Sequence, residues 1–220
     1  NDTYSGFKSK NNGLAMGADK MVNSNMKLGL GYAYTDGNIK NPNRKTDVDT
    51  HTIMLYSEYK PSDFFIDAFA SYGWSRYKSS AYSVLGTTKS DFDVYAAQLQ
   101  ANVGYDIHVD NDIILTPMTG LRYINITQDD YIDSDDKRIE KSHNDIVTLL
   151  AGVKLKKSYE VNRNTIIVPE VRLGVNYDLV RDNNGSVVRL SDGSSYVVDG
   201  RTIKRFAIET GLGFTAMFDD

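Results

Sequence analysis

The sequence contains no cysteine, which excludes disulfide frameworks, thiolate metal sites and cysteine nucleophiles. It has only four prolines and one tryptophan in 220 residues. The longest clean apolar stretch, residues 146–153, is far shorter than the ~18 residues that a transmembrane helix requires. With a formal net charge of −4 and a pI near 5.4, the chain lacks the basic surface expected of a nucleic-acid-binding protein.

Tyrosine, in contrast, is abundant, with fifteen residues against eight phenylalanines. Its side chain combines an apolar ring with a polar hydroxyl, and it is enriched in strands and at membrane–water interfaces. A hydrophobic content of 40% and a mean hydropathy of −0.42 are typical of a soluble protein. Composition therefore leaves open whether this tyrosine-rich chain is soluble or lies in a membrane.

Apolar and polar residues alternate along most of the chain, which is the signature of β-strands. In residues 97–107, for example, every second residue is alanine, leucine, valine, tyrosine or isoleucine, and polar residues or glycine lie between them. Such segments recur about nine times, each with roughly 10–14 residues, longer than the usual ~5–6. The sequence predicts an all-β protein with about nine long strands.

The predicted connections between these strands differ in length in a regular way. Short turns are expected at 22–25, 60–63 and 109–112, an intermediate connection at 158–164, and long polar loops at 37–48, 78–91, 127–142 and 179–202. Tight turns at one end and long loops at the other are typical of an antiparallel up-and-down transmembrane β-barrel.

Two kinds of barrel share this alternation. A soluble lipocalin-like barrel or a sandwich buries its apolar face, whereas a membrane barrel turns that face to lipid. Here the apolar face carries aromatic residues at strand ends, and the other face carries mid-strand glycines and isolated charges of both signs. We therefore predict a membrane barrel. Eight charged residues are expected to line its pore: Lys27, Glu58, Asp67, Arg122, Lys154, Glu170, Arg172 and Glu209.

Pro117 and Pro169 fall within predicted strands, on the lipid-facing side and near the turn end. Because proline cannot donate a hydrogen bond to the ladder, we expect a bulge or a frayed strand at both positions.

We predict no catalytic, cofactor-binding or metal-binding residues. His51, His108 and His143 are separated by dozens of residues, whereas a metal site or a Ser–His pair needs converging groups. The acidic run at 129–136 could bind a divalent cation, but it lacks the glycine and terminal glutamate spacing of an EF-hand loop. A hydrated surface loop is the favoured interpretation of this run.

The chain resembles the β-domain of type V secretion autotransporters over nearly all of its length. The segments that carry the resemblance are Leu-Thr-Pro-Met-Thr-Gly-Leu-Arg-Tyr at 115–123 with the later Tyr131, residues 148–155, residues 168–172 and residues 13–19. The asparagine- and lysine-rich loops resemble those of surface-cell-antigen autotransporters of intracellular bacteria.

This resemblance implies a twelve-stranded barrel in the bacterial outer membrane that anchors there and helps to export an N-terminal passenger, without enzymatic activity. The partners implied are outer-membrane lipid, the passenger itself and the barrel-assembly machinery, and no nucleic acid. Nine strands correspond to the second to the tenth of the family's twelve. We therefore expect residues 1–220 to form one β-domain that is truncated at both ends, without the linker helix, the first strand and the last two.

Two other functions are compatible with the residues. One is an outer-membrane channel or adhesin that presents the long loops, and the other is an outer-membrane hydrolase with catalytic residues such as His143 at the loop rim. A passenger and a helical segment upstream would favour the translocator, and a signal peptide directly upstream would favour the channel or the enzyme.

Overall fold

The computed structural model describes residues 8–84, 86–110, 112–162, 165–182, 186–189, 195–198 and 205–218. Among these residues there is no helix with the length and hydropathy needed to span a membrane. The strands are β1 (Lys8–Asn23), β2 (Met26–Asn41), β3 (Arg44–Tyr59), β4 (Phe64–Ser83), β5 (Gly86–Tyr105), β6 (Ile107–Asp110), β7 (Ile113–Gln128), β8 (Tyr131–Ile132), β9 (Arg138–Ile139), β10 (Ser142–Lys157), β11 (Tyr159–Asn162), β12 (Thr165–Arg181), β13 (Ser186–Arg189), β14 (Ser195–Val198) and β15 (Phe206–Phe218).

Nine long strands form a single antiparallel meander. Their order in the sheet is β1-β2-β3-β4-β5-β7-β10-β12-β15, so each long strand pairs with the next one along the chain. The sheet curls into a half-barrel. The predicted all-β antiparallel architecture is confirmed. Within the described residues, β1 pairs only with β2 and β15 only with β12, so both leave one edge unpaired.

The predicted short turns at 22–25, 60–63 and 109–112 are confirmed, but two of the predicted long loops are wrong. Strand β2 continues to Asn41 and β3 already begins at Arg44. In the same way, β4 continues to Ser83 and β5 begins at Gly86. Polar side chains pair across these extensions, as between Thr46 and Ser79, whose hydroxyl oxygens are 3.1 Å apart. These segments are polar on both faces because both faces meet water, and that polarity resembles a loop in the sequence.

The long connection between β7 and β10 is confirmed, and the one between β12 and β15 is confirmed as far as the structure describes it; each contributes two short strands. Residues 183–185, 190–194 and 199–202 of the predicted loop at 179–202 lie outside the described residues. The short strands form a second sheet in the order β14-β13-β9-β8. Val188 and Ile139 face each other in its register and are 7% and 8% exposed. The two connections therefore form one small unit with its own apolar contact.

The apolar face of the long sheet is exposed. Leu30, Leu55 and Leu99 are 59%, 53% and 58% exposed, although they lie in the middle of their strands. Among the described residues, only Phe65, Ile139 and Val188 are buried apolar side chains. A soluble barrel or sandwich would bury these leucines, so the alternative of a soluble fold is not supported. From Phe64 to Trp74, β4 spans about 11 residues between aromatic ends, which is the length of a tilted membrane-spanning strand.

Both strand prolines lie opposite a break in the neighbouring strand. Pro117 of β7 lies next to Thr116, where the neighbouring chain passes from β5 to β6 at Asp106. Pro169 lies between the β12 residues that pair with β10 and those that pair with β11. On the side of the break, the ladder therefore loses no hydrogen bond that the prolines would have had to donate.

Two strand glycines make room for aromatic side chains on the polar face. A Cβ at Gly104 would lie 2.3 Å from Cζ of Phe65, and one at Gly29 would lie 2.1 Å from Cζ of Tyr56. Each ring thus lies across the neighbouring strand. Tyr56 reaches far enough to donate a hydrogen bond of 2.6 Å to Asp19 on β1, which connects the edge strand to β3.

We predict that Gly104→Ala destabilises the folded domain by about 1–3 kcal/mol, because the added methyl group displaces the buried Phe65 ring. Gly211→Ala is the matched control, since a Cβ there meets its first neighbour at 3.7 Å. The measurement is the urea midpoint of the membrane-inserted full-length protein. Equal midpoints for the two variants would contradict the idea that Gly104 leaves the space that the Phe65 ring needs.

Candidate functional site

The eight charged residues of the predicted pore lining lie on one face of the long sheet. Cross-strand register places Lys27 opposite Glu58 and Glu58 opposite Asp67 on β2, β3 and β4. It also places Lys154 opposite Arg172 on β10 and β12. Arg122 lies between these groups on β7, and the other two are on β12 and β15: Glu170 and Glu209.

This face is the concave side of the curled sheet. Nζ of Lys154 on β10 lies 5.7 Å from the ring centroid of Phe65 on β4, although β5 and β7 lie between the two strands. The exposed leucines project from the opposite face, since side chains alternate along each strand. The charges therefore converge toward the interior of the curl.

The first group of charges is acidic at its centre. Nζ of Lys27 lies 3.6 Å from Oε1 of Glu58. Asp67 comes next in the row, and its Oδ1 is buried without a hydrogen-bond partner among the described residues. Glu58 thus has Lys27 as its ion-pair partner, whereas Asp67 interacts with Lys154 and Lys27 through space and one of its oxygens accepts no hydrogen bond within the described residues.

The second group of charges is more completely paired. Glu170 accepts hydrogen bonds from Arg172 and lies 3.8 Å from Nζ of Lys156. Glu209 accepts a hydrogen bond of 2.5 Å from Nδ2 of Asn176. Arg122 belongs to neither group, and its Nε is buried with no partner among the described residues. The structure therefore brings Lys27 together with Glu58, and Arg172 together with Glu170, as ion pairs. Register places Asp67 beside the first pair and Lys154 beside the second, whereas Glu209 contacts Asn176.

A buried polar cluster closes the short-turn end of this face, and the sequence-based candidates did not include it. Asp106, 8% exposed, forms an ion pair with Lys60 and accepts a hydrogen bond of 2.6 Å from the fully buried Thr116. Its backbone N–H donates to the carbonyl of Asp63. The cluster holds the strand break between β5 and β6. Its only sequence signals are Asp106 at the end of an alternating segment and Pro117 beside Thr116.

An aromatic stack lies on the same face beyond the membrane-spanning segment. The ring centroids of Tyr77 and Phe92 are 5.1 Å apart, and those of Phe92 and Tyr131 are 4.6 Å apart. Burial of these rings raises the pKa of both tyrosine hydroxyls. The stack attaches the connection between β7 and β10 to the extended hairpin of β4 and β5, where Ser134 N–H also donates to the Lys89 carbonyl.

The three histidines have separate neighbours. His51 contacts Tyr32 and Trp74, His108 lies 3.8 Å from Asp63, and His143 lies 2.9 Å from the Thr127 hydroxyl. The acidic run makes ion pairs instead of forming an open cage: Asp129 with Lys141, Asp130 with Arg138 and Asp135 with Lys137. Within the described part of the chain, no three histidine, aspartate or glutamate side chains are placed to share a metal ion.

A family model described as the autotransporter beta-domain matches residues 1–220. The chain belongs to the autotransporter β-domain family. Domains of this family anchor in the bacterial outer membrane and export a passenger, and they are translocators and anchors rather than enzymes. The predicted family, function and outer-membrane location are confirmed.

Curated relatives include outer membrane proteins of Rickettsia. The chain is 27% identical over 238 residues to outer membrane protein A of Rickettsia conorii, which covers 98% of this chain and 12% of the relative. It is 27% identical over 215 residues to outer membrane protein B of Rickettsia prowazekii, covering 90% of this chain and 13% of the relative. The β-domain thus spans about an eighth of the length of these proteins.

Solved translocator domains share its fold. The translocator domain of NalP from Neisseria meningitidis matches with a TM-score of 0.70 at 15% identity, covering 99% of this chain and 82% of the other. The β-domain of the Bordetella autotransporter BrkA matches with a TM-score of 0.71 at 16% identity, covering 97% and 92%.

We predict that Thr116→Val lowers the free energy of unfolding of the β-domain by about 1–3 kcal/mol, because buried Asp106 loses a hydrogen bond. Thr210→Val is the control, since Thr210 is exposed on the apolar face of β15. Thermal unfolding of the membrane-inserted protein, followed by the gel mobility of heated samples, provides the comparison. Equal stability of the two variants would show that this hydrogen bond does not hold the strand break.

Proposed function

We propose that this chain supplies most of a translocation conduit and that its eight inner-face charges line it. The observation that carries the proposal is the separation of the two faces. Lipid-type side chains such as Leu55 and Leu99 are exposed on the outer face, and charges of both signs converge on the concave face. A polar backbone in transit needs water and polar groups around it, and such a wall provides both.

The same proposal includes closure of the barrel by strands outside the described residues. Strands β1 and β15 each leave one edge unpaired within the described part of the chain. In hydrocarbon, every unpaired N–H and C=O group costs several kcal/mol, so an open edge is untenable there. A twelve-stranded arrangement with the nine long strands at positions two to ten would give β1 and β15 each a second partner strand.

The cargo of this conduit is a passenger encoded in the same polypeptide as the β-domain. The Rickettsia relatives, of which this domain spans about an eighth, have ample length for one. We further propose that the barrel-assembly machinery inserts the domain, since a sheet with polar edges has no spontaneous route across lipid. The domain itself carries out no bond-making step in this scheme.

Charge reversal on the acidic wall tests the conduit. With Glu58→Lys and Asp67→Lys combined, we expect a several-fold loss of surface-displayed passenger, because the new lysines would face Lys27 and Lys154 and fill the lumen with positive charge. Display is read by protease accessibility of the passenger on intact cells, and insertion by the heat-modifiable mobility of the barrel.

The matched control is Asp130→Lys with Glu140→Lys, which makes the same change of charge on the connection between β7 and β10. Normal insertion with reduced display only in the inner-face variant supports the proposal. Normal display in that variant would contradict it.

Closure has a separate test. We expect the full-length protein to show the compact, SDS-resistant band of a closed barrel until it is heated. Residues 8–218 expressed alone should lack that band because, among the described residues, β1 and β15 have no second partner strand. An equally resistant band from the shorter chain would mean that these strands close the barrel themselves.

A further inference from the structure

Six aromatic side chains form a continuous cluster on the outer face of β2–β5. His51 stacks on Trp74, with ring centroids 5.4 Å apart, and lies 5.1 Å from Tyr34. Its Nδ1 is 2.6 Å from the Tyr32 hydroxyl. On the other side of Trp74, Tyr72 lies 6.4 Å from both Trp74 and Tyr95. The cluster contains the single tryptophan of the chain.

The cluster lies at the boundary between the apolar band and the polar extensions of the strands. Toward the membrane centre, the same face presents Leu30, Ile53 and Leu55. In the opposite direction it presents charged residues, beginning with Asp49 on β3 and Arg76 on β4. A molecule bound here would therefore place an apolar part along the strands and a polar part against the extensions.

A surface cavity of about 660 Å³ lies against these rings. Its lining includes Trp74, His51, Asp49, Arg76, Lys78 and Asp93. Flat aromatic rings, two carboxylates and two cations thus surround one cavity. An interfacial girdle of tyrosines alone would provide the aromatic rings but not the charged groups.

The charged groups of this cavity are placed for hydrogen bonding to a ligand with hydroxyl and anionic groups. Asp49 accepts a hydrogen bond of 2.9 Å from Tyr34. Nε of Arg76 donates to Asp93 at 3.3 Å, and the Arg76 side chain is 65% exposed. Lys78 lies one step farther along the same face of β4, opposite Asp47 and Asp91.

These groups match a sugar headgroup that carries phosphate. The C–H faces of a sugar ring pack on aromatic rings, carboxylates accept hydrogen bonds from its hydroxyls, and guanidinium and ammonium groups bind phosphate. We propose that this outer-face cavity binds the phosphorylated sugar headgroup of a glycolipid in the adjoining leaflet, with its acyl chains against the apolar band. This site is independent of the conduit, because it lies on the opposite face of the sheet.

The test compares lipids bound to the full-length protein in nanodiscs made of phosphatidylethanolamine and phosphatidylglycerol, with and without diphosphoryl lipid A. Native mass spectrometry reports which lipids remain bound, and the fluorescence difference between wild type and Trp74→Phe isolates the signal of Trp74. We expect lipid A to be retained at least several-fold over phosphatidylglycerol and to shift the Trp74 emission. Arg76→Gln with Lys78→Gln, and separately Trp74→Ala, should abolish that preference.

Arg138→Gln with Lys141→Gln is the matched control, since it removes the same two residue types from the connection between β7 and β10. This variant should keep the preference. If Arg76 and Lys78 bind the phosphate groups, monophosphoryl lipid A should be retained less well than the diphosphoryl form. The proposal is overturned if both anionic lipids are retained equally, if the control loses the preference as well, or if the preference survives both the Arg76/Lys78 and the Trp74 substitutions.

Discussion

The hydrogen-bonding requirement of the backbone in lipid governs this structure. No water is present in the hydrocarbon region to satisfy N–H and C=O groups, so each spanning strand has to pair along its length with a neighbour. The register accordingly runs without a shift from β2 through β3, β4, β5 and β7 to β10. Single shifts lie near the end of β1, between Met21 and Asn23, and between β10 and β12, at Val147 and Thr148. The prolines obey the same requirement, because Pro117 and Pro169 lie opposite strand breaks where no donor is needed.

Turning the apolar side chains toward lipid leaves the polar face to hold the sheet in its curl. Few apolar residues are buried, so close packing depends on small residues that admit large neighbours, as where Phe65 lies over Gly104. Hydrogen bonds between strands that are not adjacent also hold the curl, such as the hydrogen bond that Tyr56 donates to Asp19. At the short-turn end, the hydrogen bond from Thr116 to Asp106 holds the neighbouring strands at the break between β5 and β6. These contacts set the curvature that brings the charges of distant strands together.

The alternation of residue types predicted the nine strands and the face that each side chain occupies, because the two faces of a spanning strand meet different solvents. It failed at 37–48 and 78–91, where both faces meet water and the period disappears although the strand continues. The alternation also could not predict which of the charged residues lie close together. Which inner residues meet depends on register and curvature, and these are set by contacts between distant segments, as for Lys154 over Phe65.

Stability alone does not account for the inner face. Exposed ion pairs such as Lys27–Glu58 contribute about 0–1 kcal/mol, whereas a buried polar atom without a partner costs about 1–3 kcal/mol. A neutral side chain at Asp67 would remove that cost and leave the ladder unchanged, since the backbone makes the strand contacts. The same holds for Nε of Arg122. Both unpartnered atoms belong to the face that we assign to the conduit, where a passing polypeptide presents donors and acceptors in turn. We propose that the paired charges maintain the wall of the conduit, and that Oδ1 of Asp67 and Nε of Arg122, which have no partner among the described residues, are available to the chain that crosses it.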